Sequence, residues 1–219
     1  MHNLRGYDHH LIIKGLNNVE KKKISVIPTN TEKYMSVTID RLRFIDSLQF
    51  MNSSLSQLVE NLKGKKTNGF YILEEVFGVE KSKLLMRKGV YPYDYISSWK
   101  TFDEPTLPPT KKFFNTLTRS HISEEDYEYA KHVYNEFQIS NIGEYHDLYL
   151  LTDTLLLACV FEEFRQMALK NFKLDPVHYF TLPGLAWDAA LKMSQVKLEL
   201  ITDVDIYNFL EIGMRGNKI

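Results

Sequence analysis

The sequence has few of the features that mark secreted or membrane-spanning chains. It has one cysteine, Cys159, in 219 residues, so no disulfide can form within the chain and a reducing compartment is favoured. The longest apolar run, Leu155 to Phe161, is far shorter than the ~20 residues that a membrane-spanning helix needs. The first residues also lack the apolar stretch of a signal peptide. We therefore expect an intracellular protein, in the cytosol, the nucleus or a virus-like replication compartment, without a membrane partner.

The sequence also lacks a strong charge of either sign. Its net charge is −1, with 44% hydrophobic and 25% charged residues, which is typical of a globular chain of one large or two small domains. Seven prolines and ten glycines exclude a low-complexity chain. Basic residues are dense only in three short stretches, 21–23, 63–66 and 81–88, which we expect to be solvated surface. Net charge therefore neither favours nor excludes a nucleic-acid partner.

Residue patterns predict a mixed α/β domain followed by a helical region. A helix is expected from Asp8 to Leu16, followed by three short strands rich in β-branched residues at 23–27, 35–39 and 42–45. Further helices are expected at 53–62, after a cap at Ser53 or Ser54, and then at 123–137, 144–171, 183–193 and 203–213. Residues 63–118 contain prolines and aromatics without a long period, which indicates an irregular insertion wrapped on the core. Cys159 lies in an apolar helical run and is expected in the core.

Two short motifs each end in an aspartate with a tyrosine close before it. In the segment Tyr149-Leu-Leu-Thr-Asp153, a separation of four residues places both side chains on one face of a helix. Phosphodiester hydrolysis with two metal ions needs carboxylates to hold the ions and a group to orient the attacking water. Hard cations such as Mg²⁺ or Mn²⁺ prefer oxygen ligands. Taken alone, this spacing is also common on an ordinary amphipathic helix with an exposed Asp and a half-buried Tyr.

The segment Asn3-Leu-Arg-Gly-Tyr7-Asp8 combines an amide, an aromatic ring and a carboxylate just before a helical pattern. The aspartate could reach a metal ion there, the amide could bind a phosphate or a base, and the ring could stack on a base. The alternative is a helix-capping Asp beside a packed Tyr. Between the two motifs lies Asp46-Ser47-Leu48, which would otherwise be a buried strand that ends in a turn.

These three segments, in this order, resemble the exonuclease motifs of family B DNA polymerases of the protein-primed type. Asn3 to Asp8 resembles the second motif, Ser47-Leu48 a motif that holds the frayed 3′ strand, and Tyr149 to Asp153 the third motif. Flanking segments such as 87–95 and 183–188 resemble the branch encoded by large virus-like transposons, and the resemblance covers essentially the whole chain.

The resemblance implies a ribonuclease-H-like 3′–5′ exonuclease domain at 1–172, with the insertion at 63–118, and the helical start of a polymerase domain at 173–219. It implies that Asp8 and Asp153 are ligands of two Mg²⁺ or Mn²⁺ ions and that Tyr149 helps to place the attacking water. Asn3, Tyr7, Ser47 and Leu48 would bind the primer end. The implied partners are a single-stranded DNA primer end and duplex template, with dNTPs and a terminal priming protein as partners of the full-length enzyme, in the DNA replication of a mobile element.

Two departures from the family pattern limit this expectation. An Asp-x-Glu motif on a strand would lie upstream of Asn3, where this chain has only Met1 and His2. The segment Gly213-Met-Arg-Gly-Asn217 resembles the Gly-Gly motif that couples the two activities, with Asn217 in place of the second glycine, and the palm carboxylates would follow Ile219. We therefore expect that these residues alone neither polymerise nor degrade DNA well.

Two alternative functions remain open, and the histidines are expected to lie outside the site. One alternative is a catalytically dead or domesticated remnant that binds single-stranded nucleic acid or a protein partner. Another is a free-standing nuclease that draws its carboxylates from elsewhere in the chain. His9 and His10 adjoin Asp8 but are expected at the surface, and His146, three residues before Tyr149, fits the site less well than the tyrosine does.

Overall fold

The computed structural model describes residues 1–6, 8–15, 23–30, 33–64, 68–117 and 119–214. It is a mixed α/β chain in which helices predominate over a small antiparallel sheet of order β1-β2-β3. The strands are β1 (Ile24–Pro28), β2 (Tyr34–Ile39) and β3 (Leu42–Ile45). The helices are α1 (Asp8–Gly15), α2 (Leu55–Lys63), α3 (Tyr71–Phe77), α4 (Val79–Leu85), α5 (Glu124–Glu136), α6 (Ile142–Phe172), α7 (Leu182–Ser194) and α8 (Val204–Met214).

The expected mixed α/β class is confirmed, together with the three strands. Strand β2 pairs with both neighbours and buries Val37 and Ile39, because β-branched residues pack well on a pleated surface. Asp40 turns the chain into β3 with a positive φ of 53°, and its carboxylate accepts a hydrogen bond from the backbone N–H of Lys23. A three-stranded antiparallel sheet does not by itself identify a ribonuclease-H-like fold, which stays a prediction.

Side-chain caps set the start of three helices, and each start lies within two residues of the one that the sequence predicted. Ser54 accepts a hydrogen bond from the N–H of Gln57, and Ser123 accepts one from the N–H of Asp126. Asn141 does the same for Glu144 at the start of α6. Each cap satisfies a backbone donor that has no partner inside the helix.

The expectation of an irregular arm at 63–118 was wrong in part, since this segment contains α3 and α4. Leu73 and Leu85 from these helices are buried in the main core. Both helices have only seven residues, and Gly78 links them with a φ of 76°. Neither helix begins with a side-chain cap. Helices this short, without side-chain caps, show no sustained period in the sequence. The short 3₁₀ helices Trp99–Asp103 and Thr110–Phe113 follow in the same segment.

Helix α6 is the central element of the core. At 31 residues it is about 46 Å long. It contacts α2, α3, α7 and the 3₁₀ helix at 99–103, and it buries Leu156, Cys159 and Val160. The core position expected for Cys159 is therefore confirmed. The end of α6 at Phe172 coincides with the domain boundary predicted there, which itself stays a prediction.

One of the two histidines beside Asp8 was placed wrongly. His10 is exposed as expected, but His9 is fully buried. Its Nδ1 lies 3.1 Å from the carbonyl oxygen of Leu4, and its ring meets the edge of the Tyr34 ring at 4.8 Å. The chain start packs on β2, so the ring of His9 is enclosed between the two. Among the described residues no helix is both long and apolar enough to cross a membrane.

Candidate functional site

Tyr149 and Asp153 lie one turn apart on α6, and each influences the ionisation of the other. Tyr149 is 8% exposed and Asp153 is half-buried. Burial raises the pKa of the Asp153 carboxyl above its ordinary value, while the Tyr149 hydroxyl and the charge of Lys88 partly offset this rise. Burial, the hydroxyl of Tyr93 and the Asp153 charge hold the pKa of Tyr149 far above its ordinary value. The pair is therefore a neutral phenol beside a carboxyl group that is costly to ionise.

One oxygen of Asp153 has no hydrogen-bond partner in the described structure. Its Oδ1 is buried, as is the hydroxyl oxygen of the neighbouring Thr152, which also has no partner. Buried polar atoms are nearly always hydrogen-bonded, so this oxygen is available to accept a bond from a ligand. A divalent cation would satisfy this oxygen and offset the cost of burying the carboxylate charge. Asp153 therefore has the properties expected of a metal ligand.

A cluster of tyrosines fixes the ring of Tyr149. Tyr91 stacks on Tyr149 with ring centres 4.7 Å apart, and the hydroxyls of Tyr93 and Tyr149 are 2.5 Å apart. Tyr145, one turn earlier on α6, donates a hydrogen bond of 2.6 Å to the carbonyl oxygen of Val90. Tyr91 also pairs with His146 through its hydroxyl. The segment 89–93 is thus attached to α6 on the side where Tyr149 and Asp153 lie.

Gly89 sits directly against the ring of Tyr149. A Cβ atom at this position would lie 2.8 Å from Cδ2 of Tyr149, a distance that real Cβ atoms essentially never show. The absence of a side chain at Gly89 therefore allows the segment to approach α6. The sequence did not predict Lys88, Gly89 and Tyr93 as members of the site. All three lie within the stretch 87–95, which was noted only for its family resemblance.

The chain start packs against the Ser47-Leu48 segment. Ser47 is buried, and both its N–H and its hydroxyl donate hydrogen bonds of 2.8 Å to the carbonyl oxygen of Met1. The buried carboxylate of Asp46 accepts hydrogen bonds from the backbone N–H groups of Arg5 and Leu48. Leu48 itself is half-buried. Met1 therefore lies along the edge of β3, next to the predicted strand-binding residues.

Asn3 and Asp8 flank a short 3₁₀ helix, Leu4–Gly6, at the chain start. Asn3 is exposed with a φ of 61°, and Asp8 is half-buried at the first position of α1. Burial lowers the pKa of the Met1 amino group, and the charges of Asp46 and Asp8 partly offset this effect. Tyr7 and the segment 215–217, on which two further expectations rest, lie outside the described residues.

A cavity of about 250 Å³ joins the chain start to α6 just after Asp153. It is lined by Met1, Ile45, Ser47, Thr154, Leu157, Ala158 and Phe161. The cavity therefore brings Met1 and Ser47 next to the part of α6 that follows Asp153. The described contacts connect Asp153 to Tyr149 and Lys88, and Asp8 to the Met1 amino group, rather than one aspartate to the other. Within the described ranges no three His, Cys, Asp or Glu side chains are grouped as a metal site.

Tyr149 also lines an open cleft of about 640 Å³. Basic and aromatic side chains contribute to its walls, among them Arg87, Lys88, Tyr93 and His121. Arg87 is held by an ion pair of 2.5 Å with Asp126 and lies over the ring of Tyr129. The cleft has room for a nucleotide-sized group beside Tyr149.

Comparison with known proteins gives no match to this chain among protein-family models, curated proteins or solved structures. The family resemblance therefore rests on the sequence motifs alone.

Substitution of Gly89 by alanine should displace the ring of Tyr149. The new methyl group would overlap the ring, which Tyr91 and Tyr93 hold from other sides, so we expect a loss of about 1–3 kcal/mol in the free energy of unfolding. Chemical denaturation measures it. Gly184→Ala is the matched control, because a Cβ there meets its nearest neighbour at 3.8 Å. Equal stability of the two variants would contradict the close packing of Gly89.

Substitution of Asp153 by asparagine should stabilise the metal-free chain at neutral pH. Because the folded-state pKa of Asp153 is raised, the folded state binds a proton more tightly than the unfolded state, so ionisation of Asp153 removes stability as pH rises. Asparagine avoids this loss, and its advantage should shrink as pH falls towards ~3.9, the ordinary pKa of Asp. Thermal unfolding across this range tests the difference. Asp147→Asn, at an exposed position of α6, is the control, and a gain that is independent of pH would count against burial as the cause.

Proposed function

We propose that this chain covers the 3′–5′ proofreading exonuclease region of a family B DNA polymerase of the protein-primed type. Its activity would be the metal-dependent removal of nucleotides from a single-stranded primer end, within an enzyme that replicates the DNA of a virus-like mobile element. The predicted fold of this region, ribonuclease-H-like, belongs to the proposal, as does the start of a polymerase domain after residue 172.

The observation that carries the proposal is the environment of Asp153. A structural aspartate on a helix would be solvated or paired, whereas this carboxyl group is half-buried, has a raised pKa and leaves one buried oxygen without a partner. Such a group costs stability in the absence of a cation, which is the pattern of a functional rather than a structural residue. The Tyr149 hydroxyl beside it also supports a functional role for Asp153.

Asp153 and Asp8 would hold Mg²⁺ or Mn²⁺, which when bound would stabilise charge on the attacking and leaving oxygens of the phosphodiester. Tyr149, kept as a neutral phenol by burial, would orient the attacking water through its hydroxyl. Tyr93 and Gly89 would keep that hydroxyl in place. The ammonium group of Lys88 would add positive charge beside the Asp153 carboxylate, where the negative charge of a phosphate would arrive.

The primer end would be bound by residues on both sides of α6. Asn3, Tyr7, Ser47 and Leu48 would hold it from the chain start, where the described contacts already join Met1 to Ser47. On the other side, the cleft beside Tyr149 offers basic groups for phosphates and tyrosine rings for bases. The two further carboxylates that the family implies would come from an Asp-x-Glu strand.

A second candidate function is binding of single-stranded nucleic acid without catalysis. The open cleft favours it, since Lys88, His121 and Tyr93 line the cleft without any carboxylate pair. This function would need neither a metal ion nor the Asp-x-Glu strand. The two functions therefore differ in their dependence on Asp153 and divalent cations.

A thermal-unfolding experiment with Mn²⁺ tests the proposed site in the chain as it is. Millimolar Mn²⁺ at neutral pH should raise the unfolding midpoint of the wild type, because a ligand that binds only the folded state stabilises it. Asp153→Asn should abolish the rise, and Asp8→Asn should reduce it. Mg²⁺ should act in the same direction.

Asp147→Asn serves as the control, since it removes one carboxylate from an exposed position of the same helix and should keep the full response to Mn²⁺. No response in the wild type would contradict metal binding by this chain. An equal response in the wild type and Asp153→Asn would place the cation elsewhere.

A further inference from the structure

His146 lies on α6 three residues before Tyr149, so the two side chains share one face of the helix. It is half-buried, and the ring of Phe102 packs on its imidazole ring with centres 4.9 Å apart. The segment that carries Phe102 is attached to the start of α6, because the N–H of Ile142 donates a hydrogen bond of 2.9 Å to the carbonyl oxygen of Glu104. The helix and Phe102 together therefore hold the imidazole ring.

Tyr91 joins His146 to Tyr149. Its hydroxyl is hydrogen-bonded to Nδ1 of His146, while its ring stacks on the Tyr149 ring at 4.7 Å with 24° between the ring planes. Burial raises the pKa of Tyr91 to about 12, so its hydroxyl keeps its proton at neutral pH. Such a hydroxyl can donate to the unprotonated Nδ1 of a neutral imidazole. The hydroxyl end of Tyr91 is thus held by a polar group and not by packing alone.

The Tyr149 ring has contacts on three sides, and two of them involve Tyr91. Tyr91 covers one face of the ring, Gly89 backs against its Cδ2 edge, and the hydroxyl of Tyr93 lies 2.5 Å from the Tyr149 hydroxyl. Tyr93 is itself 52% exposed, and its ring meets Tyr91 edge-on with centres 5.1 Å apart. A movement of Tyr91 would therefore displace both its own contact with Tyr149 and the contact that Tyr93 makes.

We propose that His146 is a positioning residue for the Tyr149 hydroxyl and that it acts through Tyr91. The hydrogen bond to Nδ1 sets the place of the Tyr91 ring, and that ring sets the places of Tyr149 and Tyr93. An apolar residue at position 146 would leave the half-buried Tyr91 hydroxyl without this acceptor, so the ring would shift towards water to regain one. The inference rests on the proposed function only in the task that it gives Tyr149, the orientation of the attacking water.

NMR of the chain with ¹³C at the Cζ atoms of its tyrosines tests this role without any metal ion. The Tyr149 resonance, whose shift follows the hydrogen bonding of its hydroxyl, is identified by its loss in Tyr149→Phe. His146→Phe keeps an aromatic ring against Phe102 but removes the acceptor, and it should shift the Tyr149 resonance by more than its linewidth. His146→Asn offers an amide oxygen close to the place of Nδ1 and should restore most of the wild-type shift.

His132→Phe is the matched control, because it makes the same change at an exposed position of α5 and should leave the Tyr149 resonance in place. A merely structural histidine at position 146 would alter the unfolding midpoint without moving this resonance. An unmoved Tyr149 resonance in His146→Phe, or a His146→Asn shift equal to that of His146→Phe, would overturn the positioning role.

Tyr91→Phe provides an independent test, which holds even if His146→Phe does not fold. It removes the donor of the same hydrogen bond and keeps the stacked ring, so it should shift the Tyr149 resonance in the same direction as His146→Phe. The double variant should shift it no further than the larger single change, because one hydrogen bond is lost in all three. Additive shifts, or no shift in Tyr91→Phe, would contradict the role of His146. A chain that shows these shifts but no response to Mn²⁺ would contradict the proposed function alone.

Discussion

The burial of the Asp153 carboxyl group against the ring and hydroxyl of Tyr149 is the constraint on which the functional argument depends. Helix α6 creates it, because the helix that carries both residues also fills the core with Leu156, Cys159 and Val160. Asp153 is half-buried on this helix, and its Oδ1 has no hydrogen-bond partner in the described structure. A buried carboxyl oxygen without a partner reduces stability, and a cation that binds there would recover the loss.

Much of the fold could be predicted because its signals are local. Ser54, Ser123 and Asn141 mark helix starts through short-range hydrogen bonds, and β-branched residues mark the three strands. The helices α3 and α4 escaped prediction, since each has only seven residues and Gly78 joins them without a side-chain cap. Burial of His9 escaped it as well, because that burial depends on how the chain start packs against β2 rather than on neighbours in the sequence.

The residues of the candidate site also fall into two groups, those that the sequence predicts and those that it does not. Tyr149 and Asp153 could be paired from the sequence, since a separation of four residues has a fixed meaning on a helix. Their partners could not, because Tyr93 reaches Tyr149 across 56 positions of sequence. The close approach of Gly89 and the position of Lys88 follow from the same packing of segment 88–93 on α6. The cavity that Met1 and Ser47 share with α6 could not be predicted, because it depends on how the chain start packs against that helix.

The central claim is that Asp8 and Asp153 serve a proofreading exonuclease. The most direct measurement compares two activities of a longer polypeptide that joins these residues to an upstream Asp-x-Glu strand and a downstream polymerase palm. Substitution of Asp8 and Asp153 by alanine should abolish metal-dependent degradation of single-stranded DNA and leave primer extension nearly unchanged. Degradation at the unsubstituted rate, with both aspartates replaced, would contradict the account.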